Sequence, residues 1–316
     1  MSFVKATKKQ SFLRMALIGA SGSGKTYSCL KIAKALAEKE GHKVAFVDTE
    51  RGSAAKYADE FDFDVLELES FSPQTYVDAI KDAQKAGYKV LVIDSLTHAW
   101  SGKDGALELV DRASKRSQSG NSFTAWREVT PQHNMLIDAI LNYPGHVFAT
   151  MRVKTEYVME EDGRGKKVPK KIGLAPVQRE GMEYEFDVVG TLDDQNYLAI
   201  TKTRCKHLSG QVIHRPGEEI AETLHQWLRS GEPGTTQLFG IEVEKSFVEQ
   251  RAGFARLQGV SPSSLNDDQL TSANNFLLKH LDSAVDSQDV DAIKIIEKLV
   301  QKVSQELDMR GEHQAA

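Results

Sequence analysis

The sequence predicts an α/β fold with a mostly parallel central sheet, for three reasons. Apolar runs of strand length alternate with segments of helical periodicity across residues 13–151. One such run opens into a glycine-rich turn followed by a helical pattern, and another ends in a carboxylate after four apolar residues. Taken in order, 13–19 reads as a buried strand entering the turn, and 25–40 as a helix with Leu30, Ile32, Ala33, Leu36 and Ala37 inward and Gly41 at its end. A second strand is expected at 44–47, a weaker third at 65–68, a helix at 75–86, a very apolar strand at 90–93, a helix at 135–141 and a strand at 146–151.

Beyond 153 the pattern changes to short alternating runs at 153–160, 188–192 and 197–200, separated by Asp162-Gly163 and Asp193-Asp194 turns. Those predict antiparallel hairpins added to the sheet. Residues 220–228 read as the last core helix. Ser230-Gly231-Glu232-Pro233-Gly234 is the clearest linker signal, and 242–257, 267–281 and 289–307 carry amphipathic helical spacing. The expected organisation is a core over 1–230, a linker over 231–241 and a small all-α region over 242–316.

Composition excludes several classes. Of 316 residues, 40% are apolar and 27% charged, a globular balance that rules out wholesale disorder. Lys and Arg number 40 against 45 Asp and Glu, a net charge of −5, so bulk positive charge cannot coat a polyanion. The acidic excess falls within 235–316, and residues 1–234 are balanced. Two cysteines, Cys29 and Cys205, are too few for a disulfide framework and fit a reducing compartment. The N-terminal stretch lacks the apolar segment of a signal peptide, and no apolar run spans a bilayer, so a cytoplasmic protein without a membrane partner is expected.

The turn is Gly19-Ala20-Ser21-Gly22-Ser23-Gly24-Lys25-Thr26, a full match to G-x-x-x-x-G-K-[ST] placed between a strand and a helix. Its glycines let successive N–H groups point at phosphate oxygens, and the helix N-terminus adds its dipole. Lys25 is expected on the outer phosphates and the Thr26 hydroxyl on Mg²⁺, with ATP as the nucleotide. Asp94, closing Val90-Leu91-Val92-Ile93, is the candidate metal-side carboxylate. Hydrolysis also needs a group that orients water. Glu50, at the end of the second strand, is the candidate, and Asp48 on the same strand is its rival.

These motifs resemble those of the RecA family of ATPases. Phe46-Val47-Asp48-Thr49-Glu50 resembles the family segment that carries the catalytic glutamate, which maps to Glu50, and Tyr57 matches the position of an adenine-stacking tyrosine. Thr201-Lys202-Thr203-Arg204 resembles the Lys-x-Arg element of the DnaB and KaiC branches. The resemblance therefore implies that Lys202 and Arg204 reach the γ-phosphate of a neighbouring subunit in a ring or filament. The family's glutamine sensor is missing from Ala149-Thr150-Met151-Arg152. The compact core with a basic insert looks most like phage-encoded recombination or single-strand annealing ATPases, implying a bacterial cell or phage-infected host.

That insert is the candidate contact with single-stranded DNA: Arg152, Lys154, Arg164, Lys166, Lys167, Lys170 and Lys171 form the densest basic stretch. A second basic stretch, 112–127, could serve equally as a DNA loop or a plain crossover. Phe3 and Ala6 fit a two-position subunit-contact pattern that chance also supplies. The expected function is a homo-oligomeric ATPase acting on single-stranded DNA in recombination, annealing or replication. A DnaB-like motor, or an adaptor recruiting a protein partner through the C-terminal helices, remains open.

Overall fold

A computed structural model of the chain describes residues 3, 5–116, 121–161 and 167–315. It divides into two compact units, residues 12–228 and residues 1–11 with 229–316.

The larger unit opens with β1 (Arg14–Gly19), α1 (Lys25–Glu40), β2 (Val44–Asp48), β3 (Asp64–Glu67), α2 (Pro73–Lys85) and β4 (Val90–Asp94). Three helices follow, α3 (Thr97–Ser101), α4 (Ala106–Arg116) and α5 (Ser122–Leu141). Then come β5 (His146–Glu161), β6 (Lys167–Pro176), β7 (Val188–Leu192), β8 (Tyr197–Thr203), β9 (Val212–His214) and α6 (Glu218–Arg229). The sheet order is β3-β2-β4-β5-β1-β7-β8-β9, with β6 paired to β5 alone. From β3 to β7 the pairing is parallel, and the β5–β6, β7–β8 and β8–β9 ladders are antiparallel. The fold is thus a mostly parallel α/β core with antiparallel additions.

Every residue of β1, β2 and β4 is buried, because helices cover both faces of a parallel sheet. Alternate side chains divide between two cores. Met15, Leu17, Phe46, Val90 and Val92 pack with α1 and α6, whereas Ala16, Ile18, Val47, Leu91 and Ile93 pack with α2 and α5. Arg14, at the start of β1, donates to the carbonyls of Leu13, Gly145, Leu141 and Tyr143. Burial lowers its pKa to about 10.

The parallel register carries Gly19, Asp48, Asp94 and Arg152 to one edge of the sheet: Gly19 pairs with Arg152, and Asp48 with Asp94. Ligand crevices of open α/β sheets lie at this carboxyl edge.

The second unit contains β10 (Thr235–Leu238), β11 (Ile241–Glu244), α7 (Lys245–Glu249), α8 (Asp267–Asp286) and α9 (Val290–Ala315). Leu238, Phe254, Leu277, Ile296 and Leu299 share its core, and Asn266 and Gln269 close a capping box on α8. Three expectations change here. Much of the expected linker 231–241 folds instead into the β10–β11 hairpin, whose turn residues Phe239 and Gly240 have φ 49° and 77°. Left-handed values at both turn positions match the twist of a two-residue hairpin. The helix expected at 242–257 is a strand, the short α7 and a 3₁₀ turn at Phe254–Leu257, interrupted by Gly253 at φ 87°. Residues 1–11 join this unit rather than the core, because Gln10 N–H donates to the Glu232 carbonyl and Glu232 N–H to that of Lys8. Among the described residues no helix is long and apolar enough to cross a membrane.

Candidate active site

The turn after β1 is shaped by its glycines. A Cβ on Gly19 would sit 2.8 Å from the Leu192 carbonyl oxygen, and Gly22 and Gly24 both take φ 82°. Gly24 is the N-cap of α1 and offers no side chain to its first turn, so those N–H groups stay available to an anion. Asn196, in the β7–β8 turn, braces the loop by donating from Nδ2 to the Ser23 carbonyl at 3.0 Å. Lys25 Nζ donates to the Ala20 carbonyl at 2.7 Å, curled over the loop it would share with phosphate. Burial lowers the Lys25 pKa, Asp94 and Glu50 draw it back up, and Arg152 lowers it further.

Asp94 ends β4 only 2% exposed. Thr26 Oγ1 donates to its Oδ2 at 2.5 Å, and the Thr150 hydroxyl from neighbouring β5 donates to Oδ1. Burial raises the Asp94 pKa above its ordinary 3.8, against the pull of the two hydroxyls. A raised folded pKa means that ionised Asp94 costs stability above that pKa, and the cost disappears below the unfolded value. Asp94→Asn, assayed without nucleotide or Mg²⁺, is therefore expected to raise Tm at pH 7. The gain should shrink toward pH 4, while hydrolysis of ATP falls about a hundredfold or more. Thermal melts at the two pH values check the sign, and a lower Tm at pH 7 would contradict it.

Geometry sets Asp48 apart from Glu50. Asp48 is buried and spent on the backbone, accepting from Glu50 N–H at 2.5 Å and Ala54 N–H at 3.1 Å. Glu50 instead lines a cleft of about 170 Å³ with Ser21, Lys25, Thr26, Asp94 and Arg152. Arg152, expected on DNA, is brought here: its Nη2 and Nε donate to Glu50 Oε1 at 2.7 and 3.2 Å. Sequence reasoning grouped Arg152 with the basic run that follows it; its strand-end position opposite Gly19 was the signal for the cleft. Thr150 and Asn196 were missed altogether, being ordinary residues until the sheet places them.

Tyr57 lies on a 3₁₀ turn at the cleft rim and meets Tyr27 edge-on at 5.7 Å between centroids. Lys202 and Arg204 are elsewhere. Lys202 pairs in register with Val189, which pairs with Ala16, three residues or about 10 Å short of Gly19 along the strand direction. Lys202 Nζ donates to the carbonyls of Glu183, Tyr184 and Phe186, and Arg204 pairs with Asp187 at 2.9 Å. Neither cation joins its own chain's cleft. Lys154 stands on β5 and Lys167, Lys170 and Lys171 on β6, whereas Arg164 and Lys166 fall outside the described residues. In the second basic stretch, Arg112, Lys115 and Arg116 pair with Glu108, Asp111 and Glu128, so much of its charge is neutralised along α4 and α5.

The donor set fits Mg²⁺ and a nucleoside triphosphate. Ser23 Oγ is buried with no hydrogen-bond partner, the left-handed glycines open the α1 N-terminus, and two cations face two carboxylates across the cleft. Thr26 and Asp94 would hold the metal, which supplies charge neutralisation at the transferring phosphoryl group. Lys25 and the loop N–H groups would bind the phosphates, and Glu50 would orient a water in line with the terminal one.

A phosphate-loop motif ending the first strand, with one strand between it and the strand that ends in Asp94, is the arrangement of a P-loop ATPase core of RecA-like type. The chain belongs to the AAA domain family, whose model matches residues 11–214. Among solved structures, the crystal structure of a KaiC-like protein from the hyperthermophilic archaeon Pyrococcus horikoshii OT3 is similar at 18% identity and a TM-score of 0.36, covering 63% of this chain and 83% of that one. A search of curated proteins finds no match.

Proposed function

We propose that the chain hydrolyses ATP with Mg²⁺ and couples hydrolysis to single-stranded DNA as a homo-oligomer in recombination, annealing or replication, in the manner of phage-encoded annealing ATPases. The observation that carries this reading is the continuity of β5. Its first half lies between the phosphate-loop strand and the Asp94 strand, and its second half pairs with β6 as a hairpin flanking the basic run. A basic hairpin on a charge-balanced body suits reversible tracking of a phosphate backbone. In an assembly, Lys202 and Arg204 would reach the phosphate of a second copy by exchanging the Glu183, Tyr184 and Phe186 carbonyls and Asp187 for it. Tyr57, at the cleft rim beside Tyr27, would offer an aromatic face to the base.

The test is fluorescence anisotropy with a labelled oligo-dT across a salt series. Replacing Lys166, Lys167, Lys170 and Lys171 with alanine is expected to weaken binding and flatten the log–log salt slope by about 0.7 per lost phosphate contact. Unchanged affinity and slope in a folded variant would remove the hairpin from the DNA path.

A further inference from the structure

Arg152 belongs to two structures at once. Its guanidinium closes on Glu50 inside the phosphate cleft, while its backbone is the root of the β5–β6 hairpin. Arg152 N–H donates to Thr97 Oγ1 at 2.9 Å, and Val177 N–H, at the other root, donates to the Arg152 carbonyl at 2.7 Å. The returning strand is fixed beside it: Gln178, 5% exposed, donates to the Leu96 carbonyl at 2.8 Å and accepts from Arg179 N–H. Leu96 in turn donates its N–H to the Thr150 carbonyl. Both hairpin roots are therefore tied to the segment directly after Asp94.

The Glu50–Arg152 pair matters chemically. Both of its bonds fall on Glu50 Oε1, the carboxylate that would orient water. An arginine bonded to Oε1 withdraws charge from the carboxylate as a whole and so weakens it as an acceptor for water, even at Oε2. Of the groups that enter this cleft, a terminal phosphate carries the most negative charge and accepts arginine's fork as well as a carboxylate does.

We infer that Arg152 reads the terminal phosphate: it exchanges Glu50 for the γ-phosphate, frees Glu50 to orient water, and carries the change into the root of the 153–176 hairpin. The inference rests on the nucleotide reading of the cleft and adds the residue that discriminates triphosphate from diphosphate.

The experiment titrates the full chain with a fluorescent ADP and with a fluorescent, slowly hydrolysed ATP analogue in Mg²⁺. Hydrogen exchange of residues 153–177 is followed in each nucleotide. Arg152→Ala is expected to weaken the triphosphate analogue about tenfold or more, the value of one charge-assisted contact, and ADP by less than about threefold. The exchange difference between the two nucleotides should then vanish. Arg152→Lys should restore part of the preference. Glu50→Gln removes the competing carboxylate and should tighten the triphosphate analogue, which tests the exchange in a variant that keeps Arg152.

Equal weakening of both nucleotides by Arg152→Ala, or a hairpin that still responds to the terminal phosphate without Arg152, would overturn the inference. Wild-type protein that binds neither nucleotide would overturn the ATPase reading itself, and the inference with it. Wild-type protein that binds both, with a discrimination unchanged in Arg152→Ala, would overturn the inference alone.

Discussion

Replacing Lys25 with alanine is expected to abolish ATP hydrolysis, lowering turnover about a thousandfold or more, the scale on which removal of a preorganised charge in a dry site is felt. Lys25 opens α1, its ammonium already lies across the phosphate loop at the Ala20 carbonyl, and it shares the cleft with Asp94 and Glu50. Without it, two carboxylates and the phosphates of the substrate would face each other with Arg152 as the remaining cation of the lining. Nucleotide affinity should fall as well, because Lys25 would contact phosphate in the ground state and not only in the transition state. The fold should survive: alanine is the best helix former, and the lost bond is one contact to a loop carbonyl. Phosphate release, nucleotide titration and a thermal melt of the variant check the three parts. Hydrolysis retained within about tenfold would mean that the loop cradles something other than the reacting phosphate.

Replacing Glu50 with glutamine is expected to separate binding from chemistry. Glutamine keeps the shape and can still accept a hydrogen bond, but it cannot polarise water as a carboxylate does, so kcat should fall about 10²–10⁴-fold. Nucleotide binding should persist or tighten, since a negative charge facing the phosphates is gone. Asp48 cannot compensate, because both of its oxygens accept backbone N–H bonds that shape the 48–54 turn. Single-turnover hydrolysis set beside equilibrium binding reads the two effects separately. Equal losses in both would assign Glu50 a structural role.

The buried strands were legible because they obey a simple rule. β1, β2 and β4 are parallel strands covered on both faces, so they read as unbroken apolar runs, and the phosphate loop and Asp94 follow directly from their ends. Glu50 was legible as a strand-end acid, whereas the spending of Asp48 on backbone N–H groups became visible only in the turn geometry. The helices of 97–141 were mostly hidden. They bury a small separate cluster around Val110 and Val129 with Trp100 and Trp126 against it, and Pro131 sits inside α5 where a proline normally argues against a helix. The alternation of β10 and β11 was lost inside a segment whose Gly and Pro content reads as linker. Arg152 shows the deepest limit. In sequence it leads a basic run, and only the register of β5 against β1 carries it to Gly19 and into the cleft. A contact set by strand pairing across more than a hundred residues leaves no local trace.

The most direct measurement is the rate of phosphate release from Mg·ATP by the purified full chain, with and without single-stranded oligo-dT, at low and high salt. The account predicts Mg²⁺-dependent turnover, stimulated by the oligonucleotide and losing that stimulation as salt rises. A rate that is the same with and without DNA at every salt concentration would contradict the coupling of the cleft to the hairpin, and no release under any condition would contradict the phosphate site.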